Sequence, residues 1–582
     1  MEWRTENKNI GSELRITERK GSSENVSLLD IELELREEAV PQPVSVRFDL
    51  DCIDTYSVLS PTIWSGRYLG PNWQKRTTSS RLSSGVPVHT LVSLAGQNRL
   101  TVALSDADTA CEIRTGIIEE NGRHDVEIRF FTQPKNPIFS YRATVRVDLR
   151  DIRYEQVLRD VECWWREECG YECAPVPEHA RLPMYSTWYS FHQNVAPDAI
   201  VEQCKLAKAM GMESVIVDDG WQTEDANRGY AFCGDWEVAR SKVPDMKAFV
   251  DAVHSCGMKF LIWFGMPFVG VNSKAYAKFE GKYLGLQMRG GKPSFAVLDP
   301  RFPEVREYLV GLYENAVREW GLDGLKLDFI DSFQIYKDTP AHADGWDTTS
   351  LDDGVNKLMT EITQTLRAIK PDIMIEFRQT YVGPAIRKYG NMLRVCDCPL
   401  DALINRRASA DLRLVSGKTA IHSDMIMWNV NDSVESAATQ MISTMFCVPQ
   451  ISVMIDKIPN EHRKMLEFYL GFWRENRETL LDGEYRAENP EAFYTLVSSE
   501  KDGHLIAVNY VETVLTLVGI KKLSYINGSG KPTLTVRFSE DMGSRSITVR
   551  SCTGEIIKKE NRELTAGVAD FCVPRGGSLT VE

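Results

Sequence analysis

Between Met184 and about Arg477, eight short apolar runs alternate with amphipathic stretches, and this order restricts the folds open to the chain. The runs are "MYSTWYSF", "ESVIVDD", "KFLIWFGM", "GLKLDFI", "IMIEFRQ", "NMLRVCD", "TAIHSD" and "QISVMID". Helical periodicity is read over Ile200–Met210, Met246–Cys256, Glu304–Trp320, Val355–Ile369 and Val434–Phe446. Parallel strands need long crossovers, and amphipathic helices supply them. Eight such units over roughly three hundred residues predict a (β/α)8 barrel. A doubly wound sheet is the alternative, but no glycine-rich dinucleotide turn follows a strand here.

The flanks change period. "VSVRFDLDCI", "HTLVSLAG", "RLTVALS", "HDVEIRFFTQ" and "FSYRATVRVDL" alternate every second residue, as strands with one buried face do. Residues 1–175 are therefore expected to form an N-terminal β-sandwich. Alternation returns after about Leu480 in "AFYTLVSS", "GHLIAVNYV", "PTLTVRFS" and "SRSITVRS". The expected architecture is a (β/α)8 catalytic barrel over 176–480 with a smaller C-terminal β-sandwich over 481–582. The role of the first sandwich is open between packing or oligomerisation and lending a loop to a neighbouring active site.

Charge narrows the partners. The 582 residues carry a net charge of −14, which argues against steering onto nucleic acid or an anionic membrane. No run of eighteen apolar residues predicts a membrane span. The segment Met1–Lys20 lacks a signal-type apolar core, and the 13 cysteines are odd in number and scattered, so a reducing cytoplasm is expected. Cys396 and Cys398 are too close and isolated for a zinc knuckle, and Cys163, Cys169 and Cys173 read as ordinary side chains.

In a barrel the active site lies at the carboxyl ends of the strands. The first run ends near Trp188 and Tyr189, the second in Asp218, Asp219, Gly220 and Trp221, and the third carries Trp263. The fourth presents Lys326 and Asp328, the fifth Glu376 and Arg378, and the sixth Arg394 and Asp397. His422 and Asp424 end the seventh, and Asp456 lies in the eighth. In "KLDF", alternation points Lys326 and Asp328 the same way, so the ammonium is expected to keep the carboxylate charged. A structural salt bridge is the competing reading of such a pair. Trp188, Trp221, Trp236 and Trp263 read either as core filling or as a platform for the apolar face of a sugar.

Paired carboxylates suffice to cleave a glycosidic bond. Asp328 is the expected nucleophile. Asp397, read as unpaired after Val395 and Cys396, is the expected acid/base with a raised pKa. Asp401, Glu376 and Asp424 also qualify as the acid.

"VDDGW" (217–221), "GDW" (234–236), "LKLDF" (325–329) and "VCD" (395–397) together resemble the α-galactosidase clan, most closely glycoside hydrolase family 36 and its raffinose-synthase-like relatives. The resemblance implies a retaining mechanism without metal or organic cofactor, with Asp328 as nucleophile and Asp397 as acid/base. It implies that Asp218, Asp219 and Lys326 bind the sugar hydroxyls and that Trp188 and Trp263 line its pocket. Trp221, Glu376, Arg378, Arg394 and His422 join these as candidate substrate-binding residues. Two segments depart from the family pattern. "WFGMPFVG" (263–270) stands where "W-F-E-P-E-M" is common, and "EFRQTYVG" (376–383) replaces a glycine-rich segment. Selection at the sugar's C4 is thus better supported than recognition at C2 or of the aglycone.

The expected function is a retaining hydrolase of terminal α-galactosides, with a glycoside or oligosaccharide as substrate and homo-oligomer formation open. Alternatives are a galactosyl transglycosylase, or an α-glycosidase for a C2-modified galactoside or another hexose. A metal-dependent barrel lyase or hydrolase using Asp218, Glu376, His422 and Asp424, and a non-catalytic sugar-binding protein, are the rivals from other classes.

Overall fold

A computed structural model describes residues 2–61, 67–69 and 73–582. Its centre is an eight-stranded parallel sheet curled into a barrel. The strands are β1 (Met184–Ser186), β2 (Ser214–Val217), β3 (Lys259–Gly265), β4 (Gly324–Asp328), β5 (Met374–Arg378), β6 (Met392–Arg394), β7 (Ala420–His422) and β8 (Gln450–Ile451). Neighbours pair in sequence order, β8 returns to β1, and the bridges His422–Val448 and Ile426–Ile451 close the circle. The expected barrel is therefore present, with all eight runs supplying its strands.

The crossover helices follow from their sequences. Helix Pro303–Trp320 starts with proline in its first turn and ends at Gly321 in the left-handed region, φ 73°. Helix Leu351–Ile369 is capped by the Ser350 hydroxyl, which accepts from the Asp353 N–H at 3.2 Å. It buries Leu351, Val355, Leu358, Met359, Ile362 and Leu366 on one stripe.

The barrel interior is layered. Ala180, Met184, Ile216, Leu261, Met374, Met392 and Ala420 form an apolar plug at the base. Two residues further along the strands the interior turns polar, with Lys326, Glu376, Arg394, His422 and Gln450 all buried. Such a layer persists only because its members pair with one another.

Before the barrel, a five-stranded and a seven-stranded antiparallel sheet enclose their own apolar core. After it, a seven-stranded and a three-stranded sheet enclose another. Three differences from expectation stand out. Helix Tyr154–Glu167 lies in the segment read as β, its stripe Tyr154, Val157, Leu158, Val161 and Trp165 fully buried. A three-stranded insertion (Phe268–Gly270, Tyr283–Arg289, Lys292–Leu298) follows β3. Trp188 and Tyr189 sit in a helical turn, Trp188–Phe191, rather than continuing β1.

The N-terminal sheets grip the barrel mouth through residues 81–85. Arg81 donates to the Asp331 carbonyl at 3.0 Å, and the Ser83 hydroxyl to the Phe333 carbonyl at 3.1 Å. The Gly85 N–H meets the Thr380 carbonyl at 2.9 Å, and the Ser84 and Thr380 hydroxyls lie 2.9 Å apart. Two loops at the carboxyl end of the barrel are thereby fixed from outside it. Among the described residues no helix is long and apolar enough to cross a membrane.

Candidate active site

Asp328 ends β4 with four donors on its carboxylate. Its Oδ1 accepts from Arg378 Nε at 2.7 Å, from the Phe329 N–H at 2.9 Å and from the Tyr381 hydroxyl at 3.2 Å. Among the described residues its Oδ2 accepts only from Trp263 Nε1, at 3.1 Å. Phe329 holds φ 66°, a left-handed conformation that turns its N–H back onto the preceding side chain. Burial alone would raise the pKa of Asp328, but the charges of Arg378 and Lys326 outweigh it and hold the carboxyl well below the usual range. Arg378 is therefore the direct cation on Asp328.

Lys326 has a different first partner from the expected one. Its Nζ donates to Asp218 Oδ2 at 2.6 Å, with both side chains buried. Both reach into the barrel from strands two places apart, β2 and β4. The Oδ1 of Asp218 accepts the Asp219 N–H at 2.9 Å. Asp219 accepts one amide on each oxygen, from Gln193 and from Gln222, both at 2.6 Å. Burial pushes its pKa up to about 6 despite these donors. Gly220 explains the glycine of the motif: at φ 122° an added Cβ would lie 2.5 Å from the Gln193 Cα.

Asp397 follows β6 and is not unpaired. Arg394 Nη2 donates to it at 2.8 Å, Arg394 Nη1 pairs with Asp424, and Arg394 Nε lies 3.7 Å from Glu376. Burial pushes the Asp397 pKa up, but Arg394 and Lys326 prevail and the net shift is downward. The expected raised pKa is thus corrected by an arginine three residues away, turned inward by strand alternation. The Asp397 side chain is nevertheless 54% exposed, so a ligand can reach it.

The rival acids occupy other environments. Asp401 caps helix Ala402–Arg413 by accepting the Ile404 N–H at 2.9 Å. Glu376 is fully buried in the polar layer against Gln450, its pKa pushed up to about 7 by burial. Asp424 is fully buried too, accepting from Tyr189 at 3.0 Å and from the Cys398 N–H at 2.6 Å.

Besides Glu376, two more substrate-binding candidates fall inside the fold rather than on its mouth. Trp221 is completely buried, donates to the Trp263 carbonyl at 2.9 Å, and packs among Trp236, Phe264 and Trp320. His422 is buried below the mouth, its Nε2 2.8 Å from the Ala180 carbonyl and its pKa held down to about 4 by burial. Trp188 remains partly exposed, with the Arg228 guanidinium 5.2 Å from its ring centre. Sequence reasoning placed Tyr189 at the end of the first run without giving it a role, and missed Tyr381, Gln193 and Gln222; nothing local distinguishes these three before the loops are placed. Among the described residues no three His, Cys, Asp or Glu side chains gather to hold a metal ion. All 13 cysteines are free thiols.

Residues 177–374 match the Melibiase family. An α-galactosidase of Escherichia coli is 28% identical over 181 residues, 30% of this chain and 24% of the relative. A type blood α-D-galactosamine galactosaminidase of Flavonifractor plautii is 26% identical over 191 residues, 30% of this chain and 17% of the relative. The matched stretches thus span a quarter or less of these relatives' length. The likeness in three dimensions is wider. A family 36 α-galactosidase of Geobacillus stearothermophilus, AgaA, superimposes with TM-score 0.67 at 15% identity, covering 98% of this chain and 81% of that one. An α-galactosidase of Thermus thermophilus gives 0.54 at 15%, over 82% and 96%. The shared fold includes the flanking sheets as well as the barrel.

Proposed function

We propose that this chain, which belongs to the α-galactosidase clan of glycoside hydrolases, cleaves terminal α-galactosides with retention of configuration. The observation that carries the reading is Asp328, a carboxylate held ionised at the barrel mouth by four donors, with the half-exposed Asp397 on a separate strand end.

Asp328 is the nucleophile. Among the described residues its Oδ2 accepts a single bond, and it is the freer oxygen for attack on the anomeric carbon. Asp397 protonates the departing oxygen. It starts ionised beside Arg394, so substrate binding has to raise its pKa, and covering its exposed side chain with the aglycone does so by desolvation. The Asp328 charge also pushes the Asp397 pKa up. That push disappears once Asp328 becomes a neutral glycosyl ester. Asp397 then stays ionised, as the base that deprotonates water must.

The charged pair Asp218–Lys326 and the amide-bound Asp219 supply oriented acceptors and a donor for the sugar hydroxyls. An epimer leaves a buried partner unmet, which is the costly kind of mismatch. At the end of β5, Arg378 stands in the segment that departs from the family pattern, so the C2 substituent belongs in the assay. Aryl α-galactoside, α-N-acetylgalactosaminide and α-glucoside are compared, and NMR identifies the first-formed anomer. The α-galactoside is the preferred substrate and α-galactose the first product. A β first product, or equal kcat/KM on glucoside and galactoside, refutes the reading.

A further inference from the structure

A cavity lies at the end of the barrel opposite the mouth, where helix Tyr154–Glu167, the loop entering β7 and the segment 481–485 meet. Its volume is about 340 Å³, within the range of small-molecule sites, and such sites favour the junctions between packed units.

The lining is cationic in a chain whose net charge is −14. Arg159, Arg166, Arg181, Arg413 and Lys418 face it, against three carboxylates. Each carboxylate already has its own arginine: Glu155 pairs with Arg153 at 2.6 Å, Glu162 with Arg166 at 3.2 Å and Asp482 with Arg181 at 2.6 Å. Arg413 donates Nη1 to the Phe446 and Leu480 carbonyls at 2.6 and 2.9 Å and lies 4.8 Å from the Tyr485 ring centre. Those contacts satisfy hydrogens, and among the described residues no carboxylate forms a direct ion pair with it; Asp482 acts on its charge only from a distance. Arg159 comes no closer than 4.0 Å to Glu484, and Lys418 is exposed on the loop into β7. Leu414, Ile421, Val448, Leu481 and Tyr485 make the remaining wall apolar.

We propose that this basal cavity binds a small organic phosphomonoester, its phosphate held by Arg413, Arg159 and Lys418 and its ring laid on the apolar wall. A phosphomonoester carries close to two negative charges near neutrality and three acceptor oxygens, matching the excess of cationic over anionic side chains in the lining better than a single carboxylate does. The volume leaves room for a ring beside the phosphate. Binding there joins helix Tyr154–Glu167, the barrel base and the segment 481–485, so it stabilises the whole chain by linkage.

The test uses the full chain, with galactose 1-phosphate, adenosine monophosphate and inorganic phosphate as calorimetric and thermal-shift probes. At least one ester is expected to bind with Kd below about 1 mM and more tightly than inorganic phosphate. The double substitution Arg159→Glu, Lys418→Glu changes two exposed side chains and is expected to weaken that ester at least tenfold while keeping the ligand-free Tm and the hydrolysis rate. No binding by either ester overturns the proposal. So does ester binding that is unchanged in the variant, or inorganic phosphate binding as tightly as the esters.

Discussion

Lys326→Met is the sharpest test of how the mouth is wired. Lys326 Nζ and Asp218 Oδ2 lie 2.6 Å apart, with side chains only 4% and 5% exposed. Removing one partner of such a buried pair costs about 3–5 kcal/mol, because the survivor is left charged and unpaired. Glu376, in register with Lys326 on the next strand, softens the loss. Its pKa already lies at about 7, so it takes up a proton and sheds its own charge when the ammonium is gone. The low end, about 3 kcal/mol, is therefore expected, a fall in Tm of about 5 °C for a cooperative unit of roughly three hundred residues. The second substitution is diagnostic. Asp218→Asn in the Lys326→Met background discharges the orphan and recovers most of the loss. Asp328→Asn recovers little, because Asp328 keeps Arg378 at 2.7 Å. Differential scanning calorimetry at one pH and one scan rate compares the four proteins. Greater rescue by Asp328→Asn than by Asp218→Asn, or a Lys326→Met shift within about 1 °C, refutes the assigned pairing.

Asp328→Asn alone is expected to abolish turnover with the fold intact, since an amide cannot form the glycosyl ester; mechanism-based labelling and peptide mapping check the attachment site. Asp397→Ala is expected to spare the first step on activated aryl galactosides and to accumulate a glycosyl-enzyme, with azide restoring turnover as an α-glycosyl azide; a β-azide refutes retention. On glycosides with poor leaving groups, kcat/KM is expected to fall as pH rises, because the protonated fraction of Asp397 falls. Arg394→Lys, with one ammonium to serve Asp397 and Asp424, moves that limb to higher pH by less than about one unit, Asp397 being half exposed. A limb that stays in place refutes the Arg394–Asp397 coupling.

The barrel is legible in the sequence because each strand announces itself as an apolar run with a polar end. Strand alternation also places Lys326 and Asp328 on one face, where both are found buried. What alternation cannot supply is the partner across the barrel, so it couples Lys326 to its neighbour in sequence rather than to Asp218 two strands away. Arg394 is visible at a strand end, yet its reach to Asp397 depends on a non-helical turn that no periodicity encodes. Trp221 misleads for a related reason: Gly220 at φ 122° reverses the chain and sends the indole into the core. Helix Tyr154–Glu167 carries a readable stripe, but it sits directly after strands, and its "VECWW" run is apolar enough to pass for one more of them.

The strap formed by Arg81, Ser83, Ser84 and Gly85 limits where recombination can cut this chain. Cutting the gene near residue 175 and expressing residues 176–582 alone deprives the Asp331, Phe333 and Thr380 carbonyls of their donors. The loops involved directly succeed β4 and β5, which carry Asp328 and Arg378. Each lost bond to a buried group costs about 1–3 kcal/mol. A chimaera that grafts this barrel beneath a foreign sandwich must therefore bring residues 81–85 with it, along with Asn136, which accepts the Thr349 and Ser350 N–H groups, and the buried helix Tyr154–Glu167.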